Sequence, residues 1–423
     1  MGFTSLSRLF LATFGRVHAL YWAQRQLRAQ MANDRLNRSI PKSFMRRGLK
    51  FMLIGFAVLI VRAVGAVVAM LVLSPGAPAP FVDQNGRTLT GSISEKRHVN
   101  INGVEQGMFI RAKDKTKPVL LFLHGSPGMP EFAISQGYPT VLEDLFVVCW
   151  WEQRGSGLSF SADIPQGTLT EEQLVSDTIA VTNYLRARFR QDKIYLMAHS
   201  GGTFFGIQAA ARAPELYKAY IGVAQISRQL DSEKLAYKYM IEQFMAAGNN
   251  AMVAKLEKIP LPEMHTMPAS YRALRDEAMH SLGIGTTHTM TSVVSGIFVP
   301  VMLSRAYTLS EKINIWRGKW SVASTNMWND ILATDLTVKV LKLDIPVYFM
   351  SGAYDYTVSY DLANNYFGRL QAPMKGFYRF EHSAHSPLFE EPEKMGRILE
   401  QDVLAGTIAL ADAIVPINGE RKP

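Results

Sequence analysis

Apolar positions fall in blocks of two kinds along this chain. Residues 51 to 73, "FMLIGFAVLIVRAVGAVVAMLVL", are one long run. Beyond it the runs are short: "PVLLFLHG" (118–125), "LFVVCWW" (145–151), "KIYLMAH" (193–199), "AYIGVAQ" (219–225), "IPVYFMSG" (345–352) and "MKGFYRF" (374–380). Runs of this length predict strands, and the continuous ones predict strands buried on both faces. "HVNINGVEQGMFIRA" predicts a hairpin turning at Asn102-Gly103. "TEEQLVSDTIAVTNYLRARFR" opens with a capping pattern, Thr170 and Gln173, and continues with helical spacing; "TFFGIQAAARAPELY" is a second helix. Strands alternating with helices predict an α/β fold, with a mainly parallel sheet and helices on both faces. The alternation breaks between residues 228 and 335, where "SEKLAYKYMIEQFMAAG" is the clearest helix. The expected organisation is a core over 81–227 and 336–410, an inserted helical cap over 228–335, and a tail over 411–423.

The run at 51–73 is long enough to cross a bilayer, which needs about 20 apolar residues. Arg62 interrupts it at a cost of roughly 2.5–3.5 kcal/mol, which the surrounding apolar residues outweigh. Residues 1–50 carry ten Lys and Arg against Asp34, so this segment alone accounts for the net charge of +9. The remainder is neutral, which removes the case for a nucleic-acid surface. Basic residues before an apolar span predict a single-pass anchor with residues 1–50 cytoplasmic and the rest extracytoplasmic. A cleavable signal peptide is the alternative, with Ala77-Pro78-Ala79 as the small-residue site, though Pro80 disfavours cutting there. Met45 opens "MRRGLK", an ordinary basic start, so residues 1–44 read as a possible over-extension of the gene model. The proline-rich "SPGAPAP" (74–80) reads as a linker. The single cysteine, Cys149, lies in an apolar run and reads as core packing.

In open α/β sheets, ligands bind at the carboxyl ends of strands. Ser200 follows the strand 193–199 in "AHSGG", the small-x-Ser-x-Gly form of a nucleophile elbow. "HGSPG" (124–128) follows the strand at 118–123. In this arrangement the oxyanion hole takes the backbone N–H of Ser126 and of Gly201. His124 reads as structural. Asp355 follows a strand in "SGAYDYTV", and His385 follows the last strand in "FEHSAHSPLFEEPE". A serine needs a base to take its proton, and the base needs a carboxylate to hold its tautomer. His385 is preferred to His382 because it stands before a helix bearing acids. Asp355 is preferred to Asp330, Asp335, Asp344 and Asp361, which lack the strand-glycine-turn context.

"HGSPG", "WEQRGSGLS", "MAHSGG", "SGAYDYTV" and "SAHSPLFEEP" together resemble the α/β-hydrolase superfamily, near its proline iminopeptidase branch, over roughly residues 95–400. The resemblance implies the α/β-hydrolase fold and the same triad of Ser200, Asp355 and His385. The elbow departs from the branch pattern, with Ala198 where glycine is usual, and Glu152 stands where aspartate is usual. The loop "WEQRGSGLS" reads as structural, its glycines and Arg154 holding the loop beside the oxyanion strand. The branch's cap carries a Trp-Glu pair that meets a substrate's free amine. Here Trp316, Trp320 and Trp328 are followed by other residues. Glu233 and Glu242 remain as cap carboxylates for an amine, against the plainer expectation of a solvated helix face.

The sequence therefore predicts a membrane-anchored serine hydrolase that forms an acyl-enzyme on a small-molecule or short-peptide substrate. The lipid bilayer is its partner through residues 51–73, and no cofactor or metal is required. Ester and amide cleavage, the latter as a proline iminopeptidase-like aminopeptidase, both stay open. A catalytically silent binding module is the rival of another class. Epoxide hydrolysis and dehalogenation are disfavoured, because those relatives use aspartate at the position of Ser200.

Overall fold

The structure is a computed structural model that describes residues 25, 26, 28, 42–125, 128–259, 261 and 267–413. Ser126, most of the basic N-terminal segment and residues 414–423 lie outside the described residues. The chain divides into two units, Met1–Met70 and Leu71–Pro423. In the first, helix α1 (Lys42–Val72, running into the second unit) contains a stretch long and apolar enough to cross a membrane, Lys50–Val72, with mean hydropathy 2.5.

The second unit is built on an eight-stranded sheet in the order β1-β2-β4-β3-β5-β6-β7-β8. The strands are β1 (Ile93–Ile101), β2 (Val104–Ala112), β3 (Val119–Leu123), β4 (Val147–Trp151), β5 (Ile194–His199), β6 (Tyr217–Val223), β7 (Val347–Gly352) and β8 (Lys375–Phe380). The hairpin β1–β2 turns at Asn102-Gly103, with Ile101 opposite Val104. β2 meets β4 antiparallel, and every later pairing is parallel. All residues of β3, β4 and β5 are buried, as continuous apolar runs require when helices cover both faces. Two apolar clusters, one on each face, hold the layers together.

Helix α2 (Glu171–Phe189) is capped by the Thr170 hydroxyl, which accepts from the Gln173 amide. The Gln173 side chain does not close the reciprocal half of the box; it donates to Asp177, which is also bound by Arg154. Helix α3 (Gly201–Arg212) stops before Pro214, earlier than the sequence pattern suggests, because proline cannot extend it. The inserted region holds helices α4 (Gln229–Ala246), α5 (Asn250–Glu257), α6 (Ala269–Ser281), α7 (Leu309–Ala323) and α8 (Met327–Ala333). It is not one layer. α4, α5 and α6 build their own apolar cluster around Met240, Leu256 and Tyr271. Val301, Tyr307, Ile315 and Val322 instead pack into the clusters of the sheet. The segment 74–80 is tied down rather than loose: Ser74 bonds to Lys312, and the Ala79 carbonyl accepts from Arg111 and Ser94.

Candidate active site

Ser200 sits between β5 and α3 at φ 52°, ψ −126°, a region that costs a non-glycine residue of order 1–3 kcal/mol. The Ser200 amide donates to Val223 O on β6 at 2.9 Å, and the Ser200 carbonyl accepts from the Thr203 hydroxyl at 2.5 Å. These bonds hold the bend. The bend also needs Gly202, where a Cβ would stand 2.5 Å from the Leu123 carbonyl and 2.6 Å from that of His124. Gly201 is the first residue of α3, where backbone N–H groups have no partner within the helix.

Asp355 follows β7 and is buried, and its Oδ1 accepts from the Val358 amide at 2.9 Å. His385 lies on the loop after β8. The two loops meet because residue 352 is glycine: a Cβ there would be 1.9 Å from the Ala384 carbonyl. The structure thus brings Ser200, His385 and Asp355 into one chain of hydrogen bonds. Ser200 Oγ is 2.7 Å from His385 Nε2, and His385 Nδ1 is 3.0 Å from Asp355 Oδ2. The carboxylate at Nδ1 fixes that nitrogen as the N–H donor, which leaves Nε2 to accept the serine proton. His382 is apart from this group; its amide donates to Glu391.

Two further residues belong to this neighbourhood, and the sequence did not single them out. His199 Nδ1 is 2.8 Å from Glu131 Oε1, and its Nε2 is 2.8 Å from the backbone carbonyl of His385. Both ring nitrogens face acceptors, so both carry protons. Burial opposes that charge, but the Glu131 carboxylate and the His385 carbonyl outweigh it and raise the His199 pKa above its usual value. Burial likewise works to raise Glu131, and the charge and hydrogen bond of His199 together hold it below the usual carboxylate range. Glu131 Oε1 also accepts from the Gly125 amide at 2.8 Å. The pair therefore links the loop after β3 to the His385 loop behind Ser200. The nearby charged and titratable groups are His385, Asp355 and His124. Nothing in the spacing of positions 131 and 199 couples them; only the histidine directly before the serine was a signal.

His124 is structural in its contacts. Its Nδ1 donates to Gly125 O and its Nε2 accepts from the Gln153 amide, a neutral ring that burial favours by lowering its pKa. Gln153 Nε2 returns a bond to His124 O at 2.7 Å. Arg154 pairs with buried Asp177 at 2.7 Å. Glu152 is buried, with Tyr307 and the Leu158 amide as partners, and burial pushes its pKa up to about 8. "WEQRGSGLS" thus braces the loop after β3.

The cap carboxylates separate. Glu233 is buried, not on a solvated face: Arg275 binds both its oxygens, at 2.6 and 2.9 Å, and Gln229 adds 3.0 Å. The helical spacing could not show this, because the partner lies on α6, 42 residues away. Glu242 is exposed on α4. The cap reaches the site through backbone: the His385 amide donates to Gly285 O at 3.3 Å, and Glu390 accepts from the His288 and Ala384 amides. Among the described residues no group of His, Cys, Asp and Glu is arranged to hold a metal ion.

A nucleophile-type bend after β5, with acid and histidine after β7 and β8, defines a class. The family model for the alpha/beta hydrolase fold matches residues 118–392, and the chain belongs to that family. It is a hydrolase resembling the proline iminopeptidase branch. Its similarity to "Probable aminopeptidase YbaC" of Bacillus subtilis (strain 168) is 28% identity over 73% of this chain and 96% of the relative. A proline iminopeptidase of Mycobacterium smegmatis has a similar structure, with TM-score 0.53 and 17% identity over 74% of this chain and 100% of the other. So has a proline iminopeptidase-related protein of Thermus thermophilus, with TM-score 0.51 and 19% identity over 74% and 98%.

Proposed function

We propose that the protein is a membrane-anchored serine hydrolase in which Ser200, His385 and Asp355 form the catalytic triad. The observation that carries this is the hydrogen-bonded chain from Ser200 Oγ through His385 to Asp355, on a serine held at φ 52°. Ser200 Oγ attacks the substrate carbonyl carbon as its proton passes to His385 Nε2. The Gly201 amide, with that of Ser126, takes the charge developing on the carbonyl oxygen. When the C–O or C–N bond breaks, His385 returns the proton to the leaving group. Water then attacks the acyl-enzyme, again losing a proton to His385, and the acid departs with Ser200 restored.

The substrate is a small ester or amide. The Bacillus relative, described as a probable aminopeptidase, favours the amide reading. On that reading a substrate amine has to displace Arg275 to reach Glu233, whereas Glu242 is exposed. Treating the full chain with a fluorophosphonate probe tests the triad. Labelling is expected in the wild type and lost in Ser200→Ala and His385→Ala; a folded, unlabelled wild type sinks the proposal and leaves a silent binding module. Acyl esters compared with proline and alanine amides then separate esterase from aminopeptidase.

Lys50–Val72 serves as an uncleaved anchor, supported by its length, its hydropathy and the basic residues before it. Retention in membranes through alkaline carbonate, at the mass of the uncut chain, is the expected result. A shortened, extractable protein identifies a signal peptide instead.

A further inference from the structure

We propose that the exposed apolar face of Val294–Leu303 in the inserted region rests on the bilayer surface beside the end of the anchor. The inference rests on the anchor reading above. In this helical segment, Gly296 and Val301 are buried and Ile297 packs on the core. The outer face shows Val294 at 60%, Phe298 at 44% and Leu303 at 55% exposure. Apolar side chains gathered on one surface of a folded domain mark an interaction site. On α7, Ile313 and Trp320 stand seven residues apart on one face, and Trp320 is 77% exposed. α7 meets the segment through Trp316, whose ring centroid lies 5.2 Å from that of Phe298. An apolar stripe with a tryptophan beside it is the composition of an element lying in a membrane interface.

Covalent continuity identifies the occupant. The apolar span ends at Val72. Two residues on, Ser74 Oγ accepts from Lys312 Nζ at 2.7 Å, and the same ammonium donates to Met302 O at 2.7 Å. The Gly76 amide donates to Arg305 O at 3.2 Å. Two residues of chain reach at most about 7 Å. The end of the span is thus pinned beside the exposed segment, whatever direction the span itself takes. Charge points the same way. Lys312 is buried, and the cations left at the surface of residues 289–323 are Arg305 and Arg317, both exposed, and half-buried Lys319, against one acid, Glu311, which is paired with Lys96 at 2.8 Å. Anionic headgroups complement that excess, whereas a second copy of the same face opposes like charge to like.

The test uses the full chain in vesicles of phosphatidylcholine and phosphatidylglycerol containing doxyl-labelled lipid. Bimane is attached at Phe298→Cys or Leu303→Cys, with Met245→Cys and Val338→Cys as exposed controls; the native thiol, Cys149, is buried. About twofold or greater quenching at 298 and 303, with both controls unquenched, is expected for side chains in the interface. Aqueous iodide gives the reverse order. Protein retained through alkaline carbonate with 298 and 303 unquenched by lipid overturns the surface alone. Protection of those labels from both quenchers assigns the face to a second copy and also overturns it. Protein released by carbonate, with unquenched labels, overturns the anchor and this surface together.

Discussion

At Glu152 a carboxyl group is buried against Tyr307 and the Leu158 amide, with its pKa at about 8 against an ordinary 4.5. The folded chain keeps a proton there that the unfolded chain releases. Stability from this group is therefore complete below about 4.5 and declines as pH rises through about 8. Glu152→Gln is expected to flatten that slope and to melt above the wild type on the alkaline side, as calorimetry across the window would register. The Glu131–His199 pair has two limits. Raised His199 contributes fully below 6.5 and loses its contribution as pH climbs through its higher folded value. Lowered Glu131 contributes above 4.5 and loses it as pH drops through its lower folded value. Because His199 holds the His385 carbonyl, His199→Gln is expected to cut kcat by about 10- to 100-fold with KM little changed. Unaltered kcat would show that the pair only fills space.

Among elements, the contacts that matter are those that set one strand end against another. Gly202 lets α3 begin against the end of β3, and Gly352 lets the β7 end meet the His385 loop. Gly202→Ala drives a methyl group into backbone carbonyls, so both melting temperature and fluorophosphonate labelling should fall. In the cap, Glu233 and Arg275 join α4 to α6. Removing one partner strands the other buried charge, and Glu233→Ala is expected to cost about 3–5 kcal/mol in a denaturant titration. Glu233→Leu combined with Arg275→Met should recover most of that loss. A Glu233→Ala variant that is equally stable but shows a raised KM for amide substrates would instead make Glu233 a substrate carboxylate.

For the whole molecule, charge is distributed along the chain rather than over the folded body. The first 50 residues hold the entire net +9. With an apolar span following, the positive-inside tendency predicts that protease reaches residues 1–50 from the cytoplasmic side alone. Digestion of sealed vesicles of each orientation checks this; cleavage of that segment only from the other face reverses the topology.

Short apolar runs buried on both faces of a parallel sheet betray themselves, because burial on both faces leaves no polar alternation. The sequence by itself therefore determined the α/β class, the order of the strands along the chain and the positions of Ser200, Asp355 and His385. Each of these residues stands where an apolar run breaks into glycine or polar residues, a local signal. The tertiary structure alone decided the rest. Glu131 meets His199, Arg275 meets Glu233, and Ser74 meets Lys312 across 68, 42 and 238 residues. Such pairings depend on which elements pack together, and no spacing within one element carries that information.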